Sequence, residues 1–210
     1  MASEAQIVTF IPYADDRNLG RACNECMALL SEDGWGVLLD HDAVFTTPEW
    51  HRQLTAAITQ YPEGCFTVKT NRARYPYKVR AIGQNNHDMA YHRQVGKEML
   101  ANQTLTDVTD EREPNGMCII LSKQAWREVG GFAEGMHYVD RLMWMALKLT
   151  GRRIYLVEGV YMYHWHRGDG APIQQGEWAR RHTLADGRTI LVGSESELPV
   201  YDGTVKGQAK

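Results

Sequence analysis

The chain has 210 residues and a mass of 23.9 kDa, and 43% of its residues are hydrophobic and 23% charged; this is globular composition and excludes a disordered or fibrous chain. The net charge is −3, so the molecule as a whole has no polycationic attraction to nucleic acid or to an anionic membrane. No apolar run approaches the roughly 20 residues of a membrane-spanning helix, and the segment Met1–Gln6 lacks the basic-then-apolar pattern of a secretory signal, so a cytoplasmic location is expected.

In chain order, Gln6–Tyr13 reads as a buried strand ended by Pro12. Leu19–Leu30 has helical spacing, with Leu19, Ala22, Cys23, Cys26, Met27 and Leu30 on one face. Trp35–Leu39 is a second strand that runs into Asp40-His41-Asp42. Thr47 and Pro48 predict the cap and first position of a helix lasting to about Tyr61. Cys65–Thr70 is a third strand, and a helix follows from about Ala90 to Lys97. Gly116–Leu121 is a fourth strand, after which Ser122 caps a short helix that stops at Gly130-Gly131. Asp140–Thr150 predicts another helix, stopped by Gly151. Arg153–Val157 and Val160–Tyr163 read as two closing strands. Beyond His166 the chain is Gly-rich and polar, with weak periodicity at Gln175–His182, so 168–210 is expected to be a polar extension of a core spanning 1–167. Strands alternating with helices imply an α/β domain with a largely parallel sheet.

Cys23 and Cys26 form a C-x-x-C, but a zinc site needs a second pair, and Cys65 and Cys118 stand alone. A redox pair belongs at a helix N-terminus, whereas these two lie inside a predicted helix. Reduced, partly buried cysteines are expected.

Three motifs carry chemistry. Asp40-His41-Asp42 follows an apolar strand, where ligands bind in open α/β sheets. In an extended stretch residues i and i+2 face the same way, and two carboxylates suit Mg²⁺ or Mn²⁺ shared with a diphosphate. His164 ends a late strand and offers a third ligand, and Arg167 suits a phosphate. The third motif runs from Gly116–Ser122 through Trp126 and Val129-Gly130-Gly131-Phe132 to Asp140, with paired glycines that permit close backbone approach to a ligand.

The order of these motifs resembles family-2-like glycosyltransferases of the GT-A fold, over about residues 6 to 167. Pro12, Asn24, Asp40-His41-Asp42, Trp126 to Phe132, Asp140 and His164 stand where that family has its recurring residues. The resemblance implies a Rossmann-type sheet flanked by helices. It is abbreviated at the N-terminal half, because only four residues lie between Tyr13 and Asn18. The family commonly has Glu-Asp where this chain has Val139-Asp140. The resemblance further implies a nucleotide-sugar donor, for which a UDP-sugar is expected, and Mn²⁺ or Mg²⁺ on Asp42 and His164. Asp40, Pro12, Tyr13, Asn24 and Arg167 would contact the donor. Asp140 would be the base in an inverting transfer, with Glu134 as the second choice. A nucleotide-sugar-binding module without catalysis and a nucleotidyltransferase are the alternatives, the latter lacking its Gly-rich phosphate loop at Ala14-Asp15-Asp16.

Between Lys69 and Lys97 seven basic residues face one acid, Asp88, with Tyr75, Tyr77 and Tyr91 interleaved. Arg72, Arg74 and Lys78 lead this set. Such a stretch suits a nucleic-acid backbone with unstacked bases, or the donor diphosphate, or a solvated surface. The acceptor is therefore open between a saccharide and a hydroxymethylated pyrimidine in DNA, as some virus-encoded transferases use.

Overall fold

The computed structural model describes residues 6–73, 78–79, 86–111, 116–165, 181–191 and 200–202. Strand β1 (Ile7–Phe10), helix α1 (Leu19–Ala28) and strand β2 (Trp35–Leu39) open the chain, and β3 (Ala43–Phe45), α2 (Trp50–Gln60) and β4 (Cys65–Thr70) follow. Then come α3 (Met89–Met99), β5 (Leu105–Asp107), β6 (Cys118–Ser122), α4 (Lys123–Glu128), α5 (Val139–Leu149) and β7 (Ile154–His164). Three short strands, β8 (Arg181–Thr183), β9 (Thr189–Leu191) and β10 (Val200–Asp202), form a separate antiparallel sheet.

The main sheet has the order β1-β2-β6-β4-β7-β3, with β5 also on β7. It is mixed, which corrects the expectation of a largely parallel sheet. β1–β2 and β4–β7 are parallel, whereas β2–β6, β4–β6, β3–β7 and β5–β7 are antiparallel. An apolar run specifies a buried strand but not its direction, and β6 reverses direction between β2 and β4.

Alternation places side chains on both sides of this sheet. Leu38, Ile119, Leu121, Ile154 and Leu156 pack with Met27, Leu142 and Trp144 in one core. Val37, Leu39, Ile120, Tyr155 and Val157 pack with Leu54, Ala57 and Ile58 in another. Helices α1, α4 and α5 therefore cover one face and α2 the other. Burial on both faces explains the unbroken apolar runs of the central strands.

Three local expectations change. Helix α2 starts at Trp50 with Glu49 at its cap position and no side-chain capping bond, while Thr47 is buried instead. The break read at Glu158-Gly159 is a bulge inside one strand, where the β4–β7 register jumps from Val68↔Val157 to Lys69↔Tyr161. A side chain at Gly159 would lie 2.2 Å from the Asn102 carbonyl oxygen, so glycine serves a close packing contact there. The region after His166 also contributes to the core. The β8–β9 hairpin turns at Asp186-Gly187, buries Leu184 and Ile190, and donates a 2.6 Å hydrogen bond from His182 Nε2 to the Val129 carbonyl.

Candidate functional site

The C-terminal ends of β2, β4 and β7 and the start of the reversed β6 all lie at one edge of the sheet. Asp40, Asn71 and His164 stand at those strand ends, and helix α5 begins nearby with Asp140. β2 and β7 are separated by β6 and β4 in the strand order. The chain passes from one to the other through a tight turn. Asp40 N–H bonds to the Met117 carbonyl at 3.1 Å, the Asp40–Ala43 turn closes at 3.1 Å, and β3 then pairs with β7 so that Ala43 opposes His164. Trp165 N–H continues the ladder onto the Asp42 carbonyl at 2.9 Å.

The two carboxylates thus meet through a turn, which corrects the expectation of an extended Asp-x-Asp. His164 Nε2 lies 3.3 Å from Asp42 Oδ1 and 3.6 Å from Asp40 Oδ2. Ligand atoms of Asp40, Asp42 and His164 all fall within 4.8 Å of one another. The His164 side chain is 3% exposed, Asp42 22% and Asp40 41%, so the histidine is buried and the carboxylates reach solvent.

His164 is oriented from two directions. Its Nδ1 lies 3.1 Å from the Arg72 carbonyl oxygen. A carbonyl only accepts, so Nδ1 carries the proton and Nε2 is directed at the carboxylates. Asn71, 1% exposed, accepts from His164 N–H at 2.7 Å and donates to the His164 carbonyl at 3.2 Å. Such outer partners characterise histidines that bind metal. Two carboxylate oxygens and one imidazole nitrogen are together a group that could hold a divalent metal ion.

Asp140 is partly open to solvent, two residues after the start of α5 is set by Tyr138, which has the left-handed φ of 64°. Loss of hydration pushes its carboxyl upward, against the backbone N–H groups of Arg141, Gly116 and Asp140 itself and the charge of Lys78. A Cβ on Gly116 would come 2.8 Å from Asp140 Cβ, so this position needs glycine. Loss of hydration also pushes Asp40 upward, with Asp42 and Asp140 adding to it and His164 opposing it.

The other expected residues divide. Tyr13 is 83% exposed beyond the end of β1, on the same sheet edge as Asp40, and Pro12 precedes it half-buried. Asn24 is committed elsewhere. Its Oδ1 accepts from Trp126 Nε1 at 2.9 Å and Phe132 N–H at 2.7 Å, and its Nδ2 donates to the Phe132 carbonyl at 2.9 Å. It therefore holds the 126–132 turn together. The paired glycines approach protein where a ligand was expected. At Gly130, φ +76°, a Cβ would meet the Thr183 carbonyl at 2.5 Å, and at Gly131, φ +83°, it would meet Asn24 Oδ1 at 2.8 Å. Met143 and Trp144 are core, and Glu134 is exposed. Cys23 is buried and its thiol is pushed up, chiefly by loss of hydration, which keeps it protonated.

Among its described residues the basic stretch is not one surface. Lys78 is completely buried, a correction to its expected acceptor role. Burial pushes its ammonium down to about 8, opposed by the neighbouring Cys118, Asp140 and Asp40. Lys69 pairs with Glu158 at 3.2 Å, and Arg72 gives Nη1 to the Trp165 carbonyl at 3.2 Å. Arg74 and Arg167 lie outside the described residues. The sequence reading missed Asn71 and the buried position of Lys78. The only signal for Asn71 was its place directly after a strand.

No protein-family model matches this chain, and no curated protein matches it.

Proposed function

We propose that the protein is a metal-dependent glycosyltransferase that moves a sugar from a nucleotide-sugar to an acceptor hydroxyl, with inversion at the anomeric carbon. The observation that carries this reading is the Asp40–Asp42–His164 cluster, with His164 Nε2 held toward both carboxylates by the Nδ1 contact to Arg72. The motif resemblance from Pro12 to His164 supplies the reaction class. Asp42 and His164 would hold Mg²⁺ or Mn²⁺, with Asp40 beside them. A divalent ion there supplies charge neutralisation for the departing diphosphate.

The chain's own residues do the rest. Tyr13 offers an exposed ring against which a nucleobase stacks. Asp40, its side chain open to solvent, accepts hydrogen bonds from donor hydroxyls. Asp140 takes the proton from the acceptor hydroxyl at a carboxylate oxygen, and its raised pKa makes it a stronger base than a solvated aspartate. The backbone N–H groups of Gly116 and Arg141 fix the orientation of that carboxylate.

A nucleotide-release assay over a panel of nucleotide-sugars tests the reading, run in chelator and after adding Mn²⁺ or Mg²⁺. Release only with metal, and loss in Asp42→Asn, is the expected result. Full activity in chelator rejects the role given to the cluster. No release with any donor rejects the reaction class.

A further inference from the structure

We propose that His87 is a positioning residue for the candidate metal ligand His164, acting through the two side chains that flank it, Tyr163 and Trp165. The proposal takes its functional meaning from the metal-binding part of the reading above, on which it rests. Successive residues of an extended strand point to opposite sides. Ala43 opposes His164 in the β3–β7 ladder, and the Trp165 N–H continues that ladder onto the Asp42 carbonyl at 2.9 Å. Tyr163 and Trp165 therefore share the side away from His164, and both meet His87 there. Its Nδ1 lies 2.6 Å from Tyr163 Oη, and its ring stands edge-on to the Tyr163 ring. The same ring lies 4.2 Å from that of Trp165, centroid to centroid, at 37°. One side chain thus grips the residues on either side of the metal ligand.

His87 has the backing this role needs. It is itself exposed, but the chain on both sides of it is tied down. The Asn86 carbonyl accepts from Nε2 of His92, a fully buried residue, at 2.8 Å. That leaves Nδ1 of His92 as the acceptor for the Tyr161 hydroxyl at 2.9 Å. Asn86 Oδ1 accepts from Asp88 N–H at 2.8 Å, which closes a turn across His87, and Asp88 caps α3 through Ala90 N–H at 2.9 Å. The His92 ring also packs on Tyr163, with 4.6 Å between centroids. On the strand itself, Asn71 holds the His164 backbone, and Arg72 gives its carbonyl to the imidazole and its Nη1 to the Trp165 carbonyl. Asn71 and Arg72 thus fix the backbone, and His87 fixes the flanking side chains, and with them the twist that aims the imidazole. A ligand aimed in advance loses less conformational freedom when an ion binds.

Two measurements on the full chain test this, neither of them activity. The first is the nitrogen NMR spectrum of the His164 imidazole in metal-free protein. Wild type should show one tautomer, with the proton on Nδ1 as its contact with the Arg72 carbonyl requires, and His87→Ala should show a mixture. The second is titration with Mn²⁺ alone, followed by electron paramagnetic resonance. His87→Ala should raise its Kd about tenfold, the low end for a partner outside the ligand shell. Tyr163→Phe keeps the ring and removes only the hydroxyl. It should weaken Mn²⁺ binding in the same direction, and adding it to His87→Ala should cost nothing further. His87→Asn offers an amide near the Nδ1 position and should fall between wild type and His87→Ala. Asn24→Ala, destabilised in the 126–132 turn, should bind Mn²⁺ as wild type does. An equal loss there makes the effect a folding defect and overturns the proposal. An unchanged His164 spectrum in His87→Ala, or an unchanged affinity in a chain that binds Mn²⁺, also overturns it and leaves the metal reading standing. No Mn²⁺ binding by wild type, with a His164 spectrum that still depends on His87, removes the metal reading and leaves His87 in its positioning role.

Discussion

Asn71 and His164 exchange two hydrogen bonds, side chain to backbone, 2.7 Å inward and 3.2 Å outward. One amide side chain thereby continues the sheet past the end of β4 and fixes where β7 delivers its last residue. Asn71→Ala should lower Mn²⁺ affinity about 10- to 100-fold, the usual effect of losing an outer partner of a metal-binding histidine. Titration of Mn²⁺ followed by electron paramagnetic resonance measures it. Unchanged affinity in a folded variant means that Asn71 supports the strand end only.

Lys78 gives a pH signature. Its folded pKa, about 8, lies below the ordinary value of 10.5. The unfolded chain therefore binds this proton more tightly. Below pH 8 the full penalty is present, and it is relieved as pH rises from 8 to 10.5. The stability of wild type relative to Lys78→Met should shift toward wild type by about 3 kcal/mol across that window, at 1.36 kcal/mol per pKa unit. Denaturant melts of both proteins at pH 7 and pH 10 check it, and a difference that stays flat contradicts the buried ammonium.

Asp140→Asn should reduce turnover by about 10²–10⁴-fold, with donor affinity nearly unchanged, because a base acts on the transition state. The raised carboxyl pKa also places the acid limb of the wild-type rate profile above the ordinary 3.8. Folding favours the protonated form of this group, so its ionisation costs stability as pH rises through the folded pKa. Asn, which never ionises, should therefore melt no lower than wild type at pH 7. Near-wild-type turnover in Asp140→Asn rejects the base and transfers attention to Glu134.

Asn24→Ala removes three hydrogen bonds from the 126–132 turn and leaves Phe132 N–H and Trp126 Nε1 without that acceptor. A loss of about 2–4 kcal/mol follows from stranding such groups, equivalent to a Tm drop of roughly 5–15 °C in a chain of this size. Calorimetry measures it. The donor KM of the folded variant distinguishes this from direct donor contact: a large rise in KM with an unchanged Tm would restore Asn24 to the donor site.

The strands and helices were legible because burial on both sheet faces demands continuous apolar runs, as in Trp35–Leu39 and Cys118–Ser122, and because Ser122 caps α4 through a local bond to Ala125 N–H at 3.1 Å. These signals lie within a few residues of one another. Strand direction was not legible, since an apolar run reads the same either way, and β6 turned out to be reversed. The small strands β8 and β9 were missed because only one buried apolar residue marks the second of them, Ile190.

The sequence alone named Asp40, Asp42 and His164 as residues whose chemistry belongs together. It could not bring them together. The two carboxylates leave β2 on one side of β6 and β4, and the histidine ends β7 on the other. They meet because the chain turns at Asp40–Ala43 and spends its next three residues pairing with β7. Those backbone hydrogen bonds join residues more than 100 positions apart, and their register exists only in the folded sheet. The same holds for Lys78. Its charge is written in the sequence, but its burial beside Asp40 and Asp140 depends on what packs over it.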